Sequence, residues 1–235
     1  MLNDAVVASN LHRAWARFPQ LREKVLLIGT FLEKLLKPVP AAVEAAAAQL
    51  AGQRVPKSMA HLAGSQSIQR WQRRFGGTAR ILGANWLLVP INGRLHWSLV
   101  LINSPGLPGS FMIHLDSCPG PHTAAFVADP LRAWLTCMVA ERDGCSLDDA
   151  GLHIGTCRYV FCPAQKQPVG SVDCGLYLCA FASRFLSMVD FNEPFTADEF
   201  IRQWAEQPHF SPLEVGPQQR TTMYKDILAA HAAAT

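Results

Sequence analysis

Apolar positions change their period twice along this chain of 235 residues. Over residues 4–16, DAVVASNLHRAWA, Val6, Val7, Leu11 and Trp15 recur at helical spacing, and Asn3 or Asp4 can cap the start. After Pro19, QLREKVLLIGTFLEKLL predicts a second helix ended by Pro38 and Pro40. The alanine-rich residues 41–53 predict a short surface helix stopped at Gly52, and residues 57–69 are polar and loop-like. From Trp86 the runs NWLLVPIN, HWSLVLIN and SFMIHLDS are short and rich in aliphatic and aromatic residues. They are bounded by Asn-Gly and SPGLPG, which predicts strands. Pro130 to Met138 predicts a helix and HIGTCRYVFC (153–162) a further strand. The run after Gly175, LYLCAFASRFLSMV, carries no charge before Arg184, which predicts a helix buried on nearly every side. TADEFIRQWAE, capped at Thr196 or Asp198, and TTMYKDILAAHAA predict two closing helices.

Helices first, then strands with a helix laid against them, imply a single α+β domain over 1–235. It is mainly helical over 1–85, holds its sheet and core in 86–190, and closes with helices in 191–235. Hydrophobic residues make up 49% and charged residues 17%, enough for a substantial globular core. The longest uncharged apolar stretch is too short to span a bilayer. The start, MLNDAVV, lacks the basic leader and long apolar region of a secretory signal. Seven cysteines form no paired framework, and no matching Cys/His pairs complete a tetrahedral zinc set. Reduced thiols, a nuclear or cytoplasmic location, no metal and no cofactor are therefore expected. A net charge of +3 favours no partner. Arg70, Arg73, Arg74 and Arg80 around Trp71 and Phe75 read as a solvated face or a protein contact before a nucleic-acid patch.

The chemistry begins at Cys174. Residues 167–173 combine turn chemistry with helix-start chemistry, so this cysteine sits where a loop becomes the buried helix. Unpaired backbone N–H groups and the positive end of the helix dipole favour its thiolate, the nucleophilic form. The alternative is one more buried, small apolar residue. Pairing the two strands about Gly106 sets His96 opposite Asp116, so that the carboxylate can orient the imidazole. Nucleophile, general base and orienter would then meet. His114 is the rival base, placed deeper, where it reads as a satisfied core histidine. His12, His61, His122 and His209 have no partner pattern and read as surface residues. Gln167 can offer a side-chain N–H to an oxyanion beside the backbone N–H of Cys174, or simply face solvent.

The order H-W-S-L … L-D-S … Q … D-C-G resembles the SUMO or sentrin proteases, the ubiquitin-like-protein-specific cysteine proteases. Leu2-Asn3-Asp4, Thr30-Phe31 with Leu35, Arg70-Trp71 and Val89-Pro90-Ile91-Asn92 resemble further family segments in the same order. The resemblance implies a papain-like fold in permuted order, with a central mixed or antiparallel sheet and the nucleophile at the N-terminus of a buried helix. It implies cleavage after the C-terminal Gly-Gly of a SUMO-like modifier, by deconjugation from lysine or precursor processing. A monomer without membrane or nucleic-acid partners is expected. Cys174 would be the nucleophile, His96 the base, Asp116 the orienter and Gln167 the oxyanion donor. Trp97 would roof the channel gripping the Gly-Gly tail, Asp4 would meet the modifier's basic surface, and Gly175 joins them as a substrate contact. Three positions depart from the family pattern. Met1 stands in place of a second channel tryptophan, Gln167 lies seven residues before Cys174 where six are usual, and Val169-Gly170 replaces an Asn-Gly neighbourhood. The alternatives are a protease for another modifier (neddylation type or ubiquitin), an acetyl transferase using the same Cys/His pair, and a degenerate modifier-binding module.

Overall fold

Val25, Leu26, Leu27 and Ile28 are all buried, with alternate residues entering opposite cores. Four apolar residues in a row thus mark a strand covered on both faces, which explains why residues 20–30 do not form the start of the predicted second helix. In the computed structural model, which describes residues 4–30, 72–190, 195–211, 214–223 and 225, a 3-10 turn at Pro19–Leu21 leads instead into strand β1 (Val25–Leu27). Helix α1 (Asp4–Ala16) precedes it and buries Val7, Leu11 and Ala14. The Trp15 indole N–H donates to the Val25 carbonyl (3.1 Å), locking helix to strand.

Helix α2 (Gly77–Gly83) is followed by β2 (Trp86–Gly93), β3 (His96–Asn103) and β4 (Phe111–Leu115). Next come α3 (Ala124–Asp143), α4 (Leu147–Gly155), β5 (Arg158–Cys162), α5 (Cys174–Met188) and α6 (Ala197–Ala205). The strands lie in chain order as one mixed sheet: β1 is parallel to β2, β2–β3–β4 form an antiparallel meander, and β4 is parallel to β5. Period-2 alternation sorts the side chains. Trp97, Leu99 and Leu101 of β3 join the core shared with α1, α5 and α6, while Val100 and Ile102 join the core under α2, α3 and α4.

Two further predicted boundaries shift for local reasons. The helix expected over 130–138 runs from 124 to 143, because the Thr123 hydroxyl caps it from in front of Pro130 and Gly144, at φ 62°, ends it. The strand expected over 153–162 begins only at Arg158. Ser146 caps α4, acidic residues occupy its first turn, and Ala150 and Ile154 bury one face, which commits 147–155 to helix. Helix α6 carries the expected start, a reciprocal capping box between Thr196 and Glu199. The helix predicted over 41–53, the loop over 57–69, His61, Arg70 and Trp71 lie outside the described residues, as does most of the closing helix over 221–233. All seven cysteines are unpaired, and no helix among the described residues is long and apolar enough to cross a membrane.

Candidate active site

A two-residue hairpin puts His96 at the site. Gly93 pairs with His96, and the turn between them is Arg94-Leu95, with φ of 53° and 57°. Both residues hold the left-handed conformation of a type I′ turn without a glycine, a strained choice that makes His96 the first residue of β3. Across the next hairpin, Asn103 pairs with Phe111 and Leu99 with Leu115. That register is two residues away from the one predicted about Gly106. A slip of two keeps every side chain on its face, whereas a slip of one would not. His96 and Asp116 still meet: Nε2 of His96 lies 2.7 Å from Oδ1 of Asp116.

Cys174 opens α5 as predicted and is 3% exposed, beside His96 at 4% and Asp116 at 0%. With Nε2 of His96 taken by Asp116, Nδ1 is left for the thiol, and the Cys174–His96 hydrogen bond forms. Burial alone would lower the His96 pKa, but its hydrogen bonds to Asp116 and Cys174 prevail and raise it to about 9. Burial alone would raise the Cys174 pKa; the His96 bond, the Trp97 backbone N–H, the imidazolium charge and the Gly175 backbone N–H together bring it below the usual thiol value. Thiolate and imidazolium thus stabilise each other. Trp97 and Gly175, expected as substrate contacts, both turn their amides on the sulfur.

The Trp97 side chain is fully buried in the core with α1 and α5. Gly175 is buried in the first turn of α5. Asp4 is half-buried at the start of α1 and accepts a hydrogen bond from Nδ2 of Asn92 (2.6 Å), tying that helix to the end of β2. Gln167 is stitched to the loop after β4. Its backbone N–H donates to Ser117 O (3.0 Å), its Oε1 accepts from the Ser117 hydroxyl (2.9 Å), and its Nε2 donates to Ser171 O (2.6 Å). The second N–H of that carboxamide has no partner among the described residues. Asp116 is held likewise: Oδ1 also accepts the Cys118 N–H (2.8 Å) and its backbone carbonyl accepts from Lys166 Nζ (3.1 Å).

Behind His96 lies a polar chain the sequence only half disclosed. His114 is the core histidine expected, but His122, expected at the surface, is buried, with its ring 4.8 Å from that of His96 and stacked on Phe126. Nothing in the sequence around His122 announces this, because its loop folds back under the β2–β3 turn. Nε2 of His122 faces the Gly93 carbonyl (2.9 Å), which only accepts, so this nitrogen carries the proton. Burial keeps the ring neutral, so Nδ1 accepts from the Ser98 hydroxyl (2.7 Å), Ser98 Oγ accepts from His114 Nε2 (2.8 Å), and His114 Nδ1 accepts from the Tyr159 hydroxyl (2.6 Å). One direction of donation runs through five groups and fixes both tautomers. It also requires both rings to be neutral, and burial accordingly drives each pKa down to about 4. His96, Asp116 and His122 bring possible metal-ligand atoms within 4.8 Å of one another. Both His122 nitrogens and Nε2 of His96 are already in hydrogen bonds, so this cluster is a closed network and no open cation site.

The mixed sheet, the thiol at the tip of the buried helix and the chain order His, Asp, Cys define the papain-like class in permuted form. The chain belongs to the Ulp1 protease family, whose C-terminal catalytic domain matches residues 3–210. Over 138 residues it is 28% identical to a probable ubiquitin-like-specific protease 2B of Arabidopsis thaliana, covering 53% of this chain and 14% of that relative. Its fold is similar to that of a de-sumoylating protease, with a TM-score of 0.58, 15% identity, and 96% of this chain and 74% of the other covered. It is also similar to the catalytic domain of a Ulp1-like SUMO protease from Chaetomium thermophilum, with a TM-score of 0.53, 18% identity, and 94% and 70% covered.

Proposed function

We propose that the protein is a thiol isopeptidase that cleaves after the C-terminal Gly-Gly of a SUMO-like modifier, freeing it from lysine side chains or from its precursor. The observation that carries this reading is the buried Cys174–His96–Asp116 chain in a member of the Ulp1 protease family. Cys174 is the nucleophile. Its thiolate attacks the terminal glycine carbonyl, and the backbone N–H of Cys174 together with the free N–H of Gln167 receives the oxyanion. His96, holding the thiol's proton, donates it to the departing lysine amine as the C–N bond breaks. Water then attacks the thioester, giving its proton back to His96 and releasing the modifier carboxylate and the thiolate. Asp116 keeps Nε2 protonated and Nδ1 aimed at sulfur.

The channel role of Trp97 and the modifier-binding role of Asp4 extend this reading, with glycine the residue whose backbone passes closest to a flat ring. Seven unpaired cysteines suit a reducing compartment, nucleus or cytoplasm. The test is a mass spectrum after incubation with ubiquitin-family modifiers bearing a C-terminal electrophile. An adduct with a SUMO-like modifier, absent in Cys174→Ala, is expected. Adducts only with other modifiers would move the specificity, and binding without any adduct would make the protein a modifier-binding module.

A further inference from the structure

The family match stops at residue 210, yet the chain continues as a structured part of the site. A π-helical turn at Glu214–Gln218 follows, and Val215 and Met223 are buried in the same core as α5. Between these anchors, Arg220 reaches back to the residue beside the nucleophile. Its Nε donates to Oδ1 of Asp173 at 3.0 Å, and a second, shorter bond runs from Nη2 to the same oxygen. The other carboxylate oxygen of Asp173 takes the Ser171 hydroxyl, and the Asp173 backbone N–H donates back to Ser171 Oγ (3.1 Å). The Ser171 carbonyl in turn holds Nε2 of Gln167. Finally, the Asp173 carbonyl accepts the N–H groups of Leu176 and Tyr177 (2.8 and 3.0 Å), the first bonds of α5. A single guanidinium thus ends a relay that terminates on the tip of the nucleophile helix and on the candidate oxyanion donor.

We propose that Arg220 is a positioning residue of this active site, holding and neutralising Asp173 so that the 167–174 loop and the Cys174 thiolate keep their reactive arrangement. This rests on Cys174 being the nucleophile. The charge argument is direct. Asp173 places a carboxylate one residue from the thiol, and a like charge there opposes ionisation of sulfur. The charge acting on Cys174 is the His96 imidazolium, which Asp116 backs, while the Asp173 carboxylate, next along the chain, is turned to Ser171 and Arg220. Arg220 is also suited sterically, since a guanidinium sends two N–H groups to one carboxylate while a lysine sends a single point charge.

The experiment follows iodoacetamide alkylation of Cys174 by peptide mass spectrometry against pH, in the full chain, for wild type, Arg220→Ala, Arg220→Lys, Asp173→Asn and the double variant. Arg220→Ala is expected to move the alkylation midpoint upward by roughly half a pH unit, the scale of a partly exposed charge pair. Arg220→Lys should recover part of the shift. In the Asp173→Asn background, removing Arg220 should move the midpoint no further, because the charge it compensates is gone. With a modifier substrate, Arg220→Ala should lower kcat about three- to tenfold with KM nearly unchanged. An Arg220→Ala midpoint superimposed on wild type, or an equal shift in the Asp173→Asn background, would overturn the proposal. Alkylation needs no modifier, so it judges Arg220 even if the isopeptidase reading fails.

Discussion

His96 Nε2 and Asp116 Oδ1 lie 2.7 Å apart with both residues buried, and this pair sets the pH range over which the site can work. The activity should rise with pH as Cys174 ionises below the usual thiol value, and fall as His96 loses its proton near 9. Asp116→Asn removes the charge and the hydrogen bond that hold the imidazole proton. The alkaline limb of kcat/KM should therefore move to lower pH, with the maximum reduced by at least about a hundredfold as orientation and tautomer are lost. Rate profiles on a fluorogenic modifier substrate check this; an unmoved alkaline limb would detach the limb from His96.

Gln167 offers a test of the oxyanion site. Ser117 fixes one end of its carboxamide and Ser171 O takes one N–H. Gln167→Ala should lower kcat on the order of 100- to 1000-fold and leave KM little changed, since the lost bond forms only in the transition state. Ser117→Ala, which merely frees the carboxamide, should have a smaller effect on the same measurement. A rise in KM that matches the fall in kcat/KM, with kcat unchanged, would make Gln167 a binding residue instead.

Ser98 occupies the middle of the polar chain, accepting from His114 and donating to His122. Ser98→Ala strands one buried donor and one buried acceptor, each costing about 1–3 kcal/mol. Urea unfolding should show a loss of about 2–5 kcal/mol. A loss under about 0.5 kcal/mol would mean that the two rings satisfy each other without the hydroxyl.

Helical spacing made α1 legible, turn signals bounding short apolar runs marked the meander, and a long run without charge marked α5. The reading failed at Val25–Ile28, a strand buried on both faces like those of the meander but lacking a turn signal to separate it from the apolar residues that follow. Cys174, His96 and Asp116 were legible since turn chemistry marks the helix start and parity survives a two-residue register error. His122 and Arg220 were not. Each reaches the site through a loop or a terminal segment whose path depends on what it packs against, and neither has a local pattern to betray that contact.

The three histidines at the site also predict an asymmetric stability profile. His114 and His122 keep folded-state pKa values near 4, below the ordinary 6.5, so the unfolded chain binds protons that the folded one refuses. Stability should thus fall as pH drops from 6.5 and level off near 4, by on the order of 3 kcal/mol per histidine and less than twice that for the pair, which shares Ser98. His96 has the opposite sign: its folded pKa is raised to about 9, so its contribution is complete below 6.5 and is lost as pH rises through 9. The histidine contribution therefore peaks near pH 6.5. Urea midpoints between pH 4 and 9 test the shape. His114→Phe should make the acid slope shallower by about one proton and leave the alkaline slope in place. Asp116→Asn should flatten the alkaline slope and, by removing a charge that favours both buried imidazoliums, extend the acid limb to lower pH; an acid slope untouched by His114→Phe would assign that limb to other groups.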